Sequence, residues 1–397
     1  MRRNSRDCNS EKEKEMRRMK RITALLCAAV MLVNVCACGN GGAGKNEELP
    51  VYEGSGAPVK TENDIAECFT IYEYENGGSL IETSSGDRLL VLPEGVTAGN
   101  TGNNTTVITL SPERVYMAAS AVMCFYDALE KTGDIRFSSL EADDWYIDSA
   151  REAMERGDMI YAGKYREPDY ETLLSGGCDL SVQSTMTEHV PEVREKLEEL
   201  GIPVFVDRSS YEPHPLGRCE WIKVYAHICG CPELGDKLYA EQKKHFDELS
   251  GNDGENTERK TAVFFYISSA GRIVTRKSGD YITKMIELAG GDNVFDFPGD
   301  DNASSSVTIE PEQFYTAAKD ADVIIYNCTI AGEISTLDEL IAKNSLLADF
   351  KAVREGNVWA TDRSLYQEIM KTGEILTDFS AVFTGSEREP EYLYRLE

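Results

Sequence analysis

The sequence has few histidines and few basic residues for its length of 397 residues. It contains four histidines, and only His189 follows a predicted strand. A bare transition-metal site needs three or four His, Asp or Glu ligands that converge from different loops, so we expect no metal ligands. Lys and Arg total 41 against 69 Asp and Glu, for a net charge of −28. This balance argues against a nucleic-acid partner.

The sequence also lacks the local motifs of the common enzyme classes. It has no GxSxG, no GxxxxGK[ST], no HExxH, and no GxGxxG after the first strand of either predicted lobe. The single pair Cys229-Gly230-Cys231 is a weak metal or redox signal without a second pair. We therefore expect no enzyme, no catalytic residue and no cofactor; a surface-anchored enzyme of unrecognised type is the alternative from another class.

No apolar run is long enough for a permanent membrane span. The longest one, residues 22–35, covers 14 residues, whereas about 20 are needed to cross a bilayer core. Residues 16–21, with four positive charges, precede this run, as in a secretory signal. We therefore predict a signal peptide over residues 1–37 and expect translation to start at Met16.

The apolar run ends at Val35-Cys36-Ala37-Cys38, which resembles a lipobox. In a lipobox the final cysteine becomes the lipidated N-terminus, so Cys38 is the predicted anchor to the cell membrane. Residues 38–65 include a Gly-rich polar stretch that cannot bury a core and should act as a flexible tether. The sequence thus predicts an extracytoplasmic protein with a folded body held off the membrane.

The rest of the chain predicts an α/β fold with a small β preamble and two Rossmann-like α/β lobes. We place the preamble and linker at residues 66–105, the first lobe at 106–231, a bridging helix at 232–251 and the second lobe at 252–397. Short β-branched runs alternate with helical patterns in each lobe, as parallel sheets require. The bridge would be one long helix of about 28 Å at 1.5 Å per residue.

The lobes are defined by predicted strands and helices at regular intervals. The first lobe has predicted strands Val107–Leu110, Met159–Ala162, Leu180–Gln183 and Pro203–Val206, with helices at Ala118–Glu130, Trp145–Arg156, Tyr170–Leu174 and Pro191–Leu200. The second has strands Ala262–Ile267, Val323–Tyr326 and Asn357–Ala360, with helices at Tyr281–Leu288 and Leu337–Ala342.

Five phrases, in this order and spacing, resemble the substrate-binding lipoproteins of ABC importers for ferric siderophores, haem and cobalamin. They are Pro168-Asp169-Tyr170-Glu171, Leu197–Val204 (LEELGIPV), Glu212–Lys223 (EPHPLGRCEWIK), Glu287–Val294 (ELAGGDNV) and Phe350–Trp359 (FKAVREGNVW). The resemblance extends from Ile108 to the C-terminus. It implies two α/β lobes joined by one long helix, a monomer, and delivery of a metal chelate to an ABC permease and its ATPase.

In that family one glutamate on each lobe docks onto arginines of the permease. By motif position the resemblance assigns this role to Glu171 and Glu312, with Glu310 competing for the second place. A carboxylate suits the task because its bidentate pairing with a guanidinium is directional. The alternative is that each is a surface glutamate favoured in the first turn of a helix.

Loops after the predicted strands should face the cleft between the lobes, because ligands of α/β folds bind beyond the carboxyl ends of strands. These loops supply the candidate ligand-binding residues Trp145, Tyr146, Lys164, Tyr165, Arg166, Met186, His189, Arg208, Arg272, Tyr281, Trp359 and Tyr366. Aromatic rings offer flat contact area, and Lys and Arg would neutralise an anionic chelate.

A ferric siderophore is the favoured solute. Lys164, Arg166, Arg208 and Arg272 suit an anionic chelate slightly better than neutral cobalamin. Haem or a corrinoid is the alternative within the same class of transporter, with His189 as a possible axial ligand.

Overall fold

The computed structural model describes residues 49–99, 101–102, 104–250, 259–295, 297 and 306–397. The predicted signal peptide, the anchor Cys38, the Gly-rich stretch up to Glu48 and Gly251 of the predicted bridge lie outside these residues. Residues 49–65 of the predicted tether are described, and there the prediction of a flexible tether was wrong, because Ser55 is buried and Val59–Lys60 forms a strand. Within the described ranges, no helix is both long and apolar enough to cross a bilayer. Residues from Pro50 to the C-terminus form a single unit.

The first sheet has five strands in sequence order. They are β1 (Val59–Lys60), β2 (Phe69–Glu73), β3 (Ser79–Thr83), β4 (Arg88–Leu92) and β5 (Thr105–Thr109). Neighbours from β1 to β4 are antiparallel, and β5 runs parallel to β4. The hairpin between β2 and β3 turns at Gly77, whose φ of 85° suits a residue without Cβ.

The prediction that Val107–Leu110 opens the first lobe was wrong. This run belongs to β5, where Ile108 pairs with Val91 of the preamble sheet. A short β-branched run has the same pattern whichever sheet it joins, since strand pairing depends on contacts distant in sequence. The preamble sheet therefore extends beyond the predicted range on both sides.

Two buried carboxylates hold the chain just before β2. Glu220 accepts hydrogen bonds from the backbone N–H groups of Asp64, Ile65 and Ala66 at 2.7–2.9 Å. Glu212 accepts hydrogen bonds from the backbone N–H groups of Glu67 and Cys68 at 2.8 Å, and from the indole N–H of Trp221 at 2.9 Å. Hydrogen bonds to a carboxylate are among the strong ones, so this arrangement fixes the preamble sheet to the first lobe.

The first lobe contains a five-stranded parallel sheet in the order β12-β11-β6-β7-β8. Its strands are β6 (Val115–Met117), β7 (Ile135–Ser138), β8 (Ile160–Tyr161), β11 (Leu180–Ser184) and β12 (Val204–Asp207), and a small hairpin joins β9 (Gly163–Lys164) to β10 (Glu167–Pro168). Strands β6 and β11 inside the sheet, and β12 at its edge, are buried nearly throughout. Such continuous burial is typical of parallel strands covered on both faces.

The helices of the first lobe largely follow the predicted pattern. They are α1 (Met123–Ala128), α2 (Asp148–Arg156), α3 (Tyr170–Ser175), α4 (Pro191–Glu199), α5 (Pro215–Glu220) and α6 (Ile222–Ile228). Proline at the first position of α4 and of α5 lacks the N–H that a helix start leaves unpaired.

A long helix, α7 (Pro232–Ser250), follows the first lobe and packs against elements of both lobes. Gly235 lies against Ala226 of α6, where an added Cβ would lie 2.5 Å from the alanine methyl. Near the middle of the helix, buried Gln242 accepts a hydrogen bond of 2.9 Å from the backbone N–H of Gly373 in the second lobe.

The second lobe has a seven-stranded mixed sheet in the order β16-β14-β13-β17-β18-β19, with β15 also pairing with β13. Its strands are β13 (Lys260–Ile267), β14 (Ile273–Arg276), β15 (Gly291–Asn293), β16 (Ser306–Ile309), β17 (Val323–Tyr326), β18 (Val358–Thr361) and β19 (Leu393–Arg395). Its helices are α8 (Tyr281–Leu288), α9 (Pro311–Ala318), α10 (Cys328–Ala331), α11 (Leu337–Lys343), α12 (Lys351–Glu355) and α13 (Thr372–Thr384). The predicted helix Tyr281–Leu288 and strand Val323–Tyr326 are confirmed at both ends.

Candidate functional site

A cavity of about 670 Å³ lies at the carboxyl ends of the five parallel strands of the first lobe. Residues at the end of each strand, or in the loop that follows it, line this cavity. They are Ala118, Ala119, Ser120, Ala121, Ser139, Leu140, Glu141, Asp144, Tyr161, Lys164, Tyr165, Ser184, Met186, Asp207 and Ser210. Open α/β sheets bind ligands at this edge, and the volume lies in the range typical of small-molecule sites.

Small side chains after β6 leave room for this cavity. Residues 118–121 read Ala-Ala-Ser-Ala, and the backbone N–H groups of Ala118 and Ala119 both donate to the Val182 carbonyl of β11, at 2.9 and 3.1 Å. These bonds hold the turn against the neighbouring strand. The loop backbone is thus satisfied without side chains that would fill the space.

Asp207 ends β12 and forms part of the cavity wall. Its carboxylate accepts hydrogen bonds from the Ser209 N–H at 3.1 Å, the Ser209 hydroxyl at 2.6 Å and the Tyr225 hydroxyl at 2.8 Å. Burial raises the pKa of this carboxyl, and the Ser209 and Tyr225 hydrogen bonds oppose that rise. These three hydrogen bonds fix the Asp207 carboxylate, which therefore has little freedom to reorient towards a ligand.

The second lobe reaches the same edge through the 3₁₀ turn Arg363–Gln367, which follows β18 and packs against the turn Ser120–Val122. The Gln367 side chain accepts from the Tyr146 N–H and donates to the Asp144 carbonyl, both at 2.9 Å. These two hydrogen bonds join the lobes beside the cavity.

The carboxyl edge of the second lobe carries a cluster of polar side chains bonded to one another. The Tyr366 hydroxyl accepts hydrogen bonds from Arg276 and from the Asn327 amide, the latter at 2.8 Å. Arg276 also pairs with Asp280 at 3.5 Å. Burial raises the pKa of the Asp280 carboxyl, and the Arg276 guanidinium opposes this.

The structure brings three of the predicted ligand residues into the cavity wall: Lys164, Tyr165 and Met186. Two others lie where the lobes meet. Tyr146 lies under the Arg363 guanidinium, 5.1 Å from its ring centre, and Tyr366 belongs to the second-lobe cluster.

Three predicted aromatic residues lie in or against the core. Trp145 is 1% exposed and donates from its indole to the Ser138 hydroxyl at 3.0 Å. Tyr281 is buried beneath Arg218, whose guanidinium lies 3.8 Å from the ring centre. Trp359 is half-buried in β18. Large aromatic rings gain most by burial, so their position after a predicted strand does not by itself indicate a ligand contact.

The remaining predicted ligand residues do not line the cavity. Arg166 lies over the Tyr165 ring at 5.2 Å, and Arg208 pairs with Glu188. Arg272 is exposed in the turn between β13 and β14. His189 is exposed at the end of a short 3₁₀ turn after β11.

Sequence reasoning missed Glu141, Asp144 and Asp207 as cavity residues. Glu141 and Asp144 follow β7, a strand that the sequence did not predict. Their loop could therefore not be placed at the carboxyl edge of the sheet. Asp207 directly follows the predicted strand ending at Val206, and a polar residue at that point was an available signal.

The predicted docking glutamates occupy corresponding places in the two lobes. Glu171 lies in the first turn of α3, before β11, and Glu312 lies in the first turn of α9, before β17. Both are exposed, as is Glu310, which precedes α9. This placement suits docking and also fits a surface glutamate near a helix start.

The cysteines of the described residues are all free thiols. Cys229 is buried, which raises the pKa of its thiol. In the same part of the chain no group of three or more His, Cys, Asp or Glu side chains could hold a metal ion.

The chain is similar in sequence to a known protein family and to a lipoprotein. A family model described as periplasmic binding protein matches residues 138–365. An uncharacterized lipoprotein of Methanocaldococcus jannaschii is 25% identical over 293 residues, covering 71% of this chain and 67% of that protein.

Solved structures with low sequence identity share the fold. A periplasmic binding protein from Veillonella parvula aligns with a TM-score of 0.58 and 17% identity, over 84% of this chain and all of that one. A periplasmic haem-binding protein from Pseudomonas aeruginosa aligns with a TM-score of 0.58 and 15% identity, over 72% of this chain and 98% of that one.

Proposed function

The chain belongs to the periplasmic binding protein family, and we propose that it captures an iron chelate outside the cytoplasm and delivers it to an ABC import permease. It is a binding protein and not an enzyme. The observation that carries the proposal is the cavity at the carboxyl edge of the first lobe, which is lined by residues at the end of every strand of that sheet or in the loop that follows it. The edge of the second lobe closes against it through Gln367.

The cavity has suitable contact groups for a chelate. Tyr161, Tyr165 and Met186 offer broad, polarisable surface, while Ser184 and Ser210 supply hydroxyl groups. A ferric siderophore presents both apolar rings or chains and carbonyl oxygens, so such a mixed wall suits it. A flat haem or corrinoid would use the same aromatic surface, and the binding experiment below separates these solutes.

Delivery to the permease would use one carboxylate on each lobe. Glu171 and Glu312 are exposed near the starts of equivalent helices, from which each could pair with an arginine of the permease. Charge pairs that lose water on docking are directional and gain strength. Replacing either with Gln should slow uptake and leave chelate affinity unchanged.

Cys38 would anchor the protein to the membrane through a lipid. The lipobox and the acidic body support this location, and so does the similarity to an uncharacterized lipoprotein of Methanocaldococcus jannaschii. Metabolic labelling with a radioactive fatty acid tests the anchor: the wild-type chain should take up label, and Cys38→Ser should not.

The binding proposal is tested by titrating the full chain in detergent with a ferric catecholate, a ferric hydroxamate, haemin and cobalamin. Intrinsic fluorescence is a suitable readout because Trp145 directly follows the cavity-lining residue Asp144 and is hydrogen-bonded to Ser138, which precedes the lining residue Ser139. Saturable quenching by a ferric siderophore supports the proposal. Saturable quenching by haemin alone or by cobalamin alone would identify that compound as the solute in place of a siderophore. Saturable quenching by none of the four contradicts capture of a metal chelate.

A further inference from the structure

The charged groups that line the cavity are mostly carboxylates. Glu141 and Asp144 follow β7 and are exposed at the cavity wall, and buried Asp207 ends β12. Lys164 is the one basic residue among the cavity-lining residues described above. The immediate surroundings of a bound solute therefore carry an excess of negative charge.

The other basic residues nearby are not among the cavity-lining residues, although Arg166 and Arg363 keep their charge and offset part of the excess from outside the wall. Arg208 is paired with Glu188, which neutralises its charge. Arg166 and Arg363 lie over the rings of Tyr165 and Tyr146, outside the cavity wall. The net charge of the whole chain, −28, acts in the same direction as the cavity carboxylates.

We propose that the cavity selects metal chelates of positive or zero net charge over anionic ones, and that Glu141 and Asp144 set this preference. This inference rests on the proposed function and narrows its substrate class. Three hydroxamates balance the charge of Fe³⁺, so a ferric trishydroxamate with an amine arm is a cation. Three catecholates leave a ferric complex strongly anionic, and the acidic wall would repel it.

The size of the preference follows from the exposure of the two carboxylates. Two unit charges about 4 Å apart in water change the affinity roughly fivefold, and by less when salt screens them. Changing a solute from cation to anion reverses the sign of its interaction with both carboxylates. We expect an overall preference of roughly tenfold.

The test uses three forms of one ferric trishydroxamate that differ only at the terminal amine. Ferrioxamine B is a monocation, its N-acetyl derivative is uncharged and its N-succinyl derivative is a monoanion. Each is titrated into the full chain in detergent, at low and at high ionic strength, with fluorescence quenching as the readout. Because the iron centre is identical, differences in Kd report charge.

A double variant locates the source of the preference. Glu141→Gln with Asp144→Asn removes two carboxylates from the cavity wall. Glu387→Gln with Glu389→Gln removes two exposed carboxylates near the C-terminus, so it changes the total charge equally and serves as the matched control.

The expected order of affinity is cation, then neutral form, then anion, with roughly tenfold between the extremes. This ratio should shrink to about twofold in the cavity double variant and at high salt, where the Debye length falls to about 3 Å, and it should persist in the control. Equal or tighter binding of the anion overturns the inference, as does an unchanged ratio in the cavity variant.

The failure of this inference and the failure of the proposed function give different results. A chain that binds the ferric catecholate but discriminates against the cation still captures iron chelates, and only the charge preference fails. A chain that binds none of the three ferrioxamines overturns the charge inference. If it also binds none of the four solutes in the previous panel, the proposed function fails with it.

Discussion

The carboxyl edges of the two lobes have the same place in the fold and opposite chemistry. In the first lobe, the residues after β6 are Ala and Ser, and the edge encloses an open cavity of about 670 Å³. In the second lobe, the edge carries Arg276, Asn327 and Asp280, with Tyr366 hydrogen-bonded between the first two. The first edge leaves polar and aromatic surface free for a solute, whereas the second satisfies its polar groups internally.

This contrast teaches that position after a strand is a necessary condition for a solute site and not a sufficient one. Candidate residues from both lobes met the positional condition equally. Those in the first lobe that line the cavity, such as Lys164 and Tyr165, have space in front of them. The Tyr366 hydroxyl instead accepts hydrogen bonds from neighbouring side chains. Variants at each edge should therefore separate loss of binding from loss of stability.

Filling the first-lobe cavity should have the largest effect. Ser184→Trp places an indole in the cavity wall and should weaken chelate binding about a hundredfold, or about 2.8 kcal/mol, because the solute loses its space. Isothermal titration measures this change. Ser175→Trp, at an exposed position of α3, is the control and should bind normally; unchanged affinity in Ser184→Trp would place the site elsewhere.

Removing the Tyr366 hydroxyl should affect stability and leave binding unchanged. Tyr366→Phe deprives Arg276 and Asn327 of their shared acceptor, and leaving buried donors unpaired costs about 2 kcal/mol. Urea unfolding should show this loss, while the Kd for the chelate should stay within about twofold. A larger fall in affinity than in stability would assign the second-lobe edge to the binding surface.

Loosening the contact between the two edges should have a smaller effect. Gln367→Ala removes the hydrogen bonds to Tyr146 and Asp144 and should cost about 1.5 kcal/mol. Hydrogen exchange should accelerate in a peptide covering residues 142–147, since the Tyr146 N–H loses its acceptor. Gln313→Ala, exposed on α9, provides the comparison, and unchanged exchange in Gln367→Ala would show that this bond does not hold the lobes together.

The smallest effect is a dependence on pH at Glu368, directly after the turn that carries Gln367. Burial raises the pKa of this carboxyl from 4.5 to about 7, with Asp127, Asp362 and Glu374 adding to the rise and Lys371 opposing it. The folded protein thus binds a proton more tightly than the unfolded chain. The contribution of the Glu368 carboxyl to the stability of the fold is fully present below the unfolded pKa and is lost as pH rises through about 7.

Glu368→Gln should therefore stabilise the fold near pH 8 by about 1 kcal/mol and have little effect near pH 5, the figure being reduced for partial exposure. Thermal unfolding at the two pH values measures the difference. Glu387→Gln, at an exposed position near the C-terminus, is the matched control. An equal effect of Glu368→Gln at both pH values would rule out titration at this position.

The sequence indicated those helices and strands whose residues follow a clear short-range pattern. The run of Tyr281–Leu288 alternates apolar residues at helical spacing and ends before Gly290, so its bounds were predictable. The long helix after Pro232 was predictable for the same reason. The fold class is confirmed by the parallel sheet of the first lobe and by the family match.

The preamble and the cavity wall were harder to predict because they depend on pairing across the chain. Val107 could have continued either sheet, and only its pairing next to β4 decides between them. Glu212 and Glu220 gave no sign in the sequence that they would hold the backbone of residues 64–68, about 150 positions earlier. Buried carboxylates are acceptable here because those N–H groups meet them.

The sequence alone thus indicated an acidic α/β binding protein with two lobes, since composition, helical periodicity and motif order are properties of the chain itself. The tertiary structure decided which strand ends enclose a cavity and which are covered by side chains that are hydrogen-bonded to one another. That decision depends on whether neighbouring strands bring partners within hydrogen-bond distance, and distances between remote residues exist only once the sheet has formed.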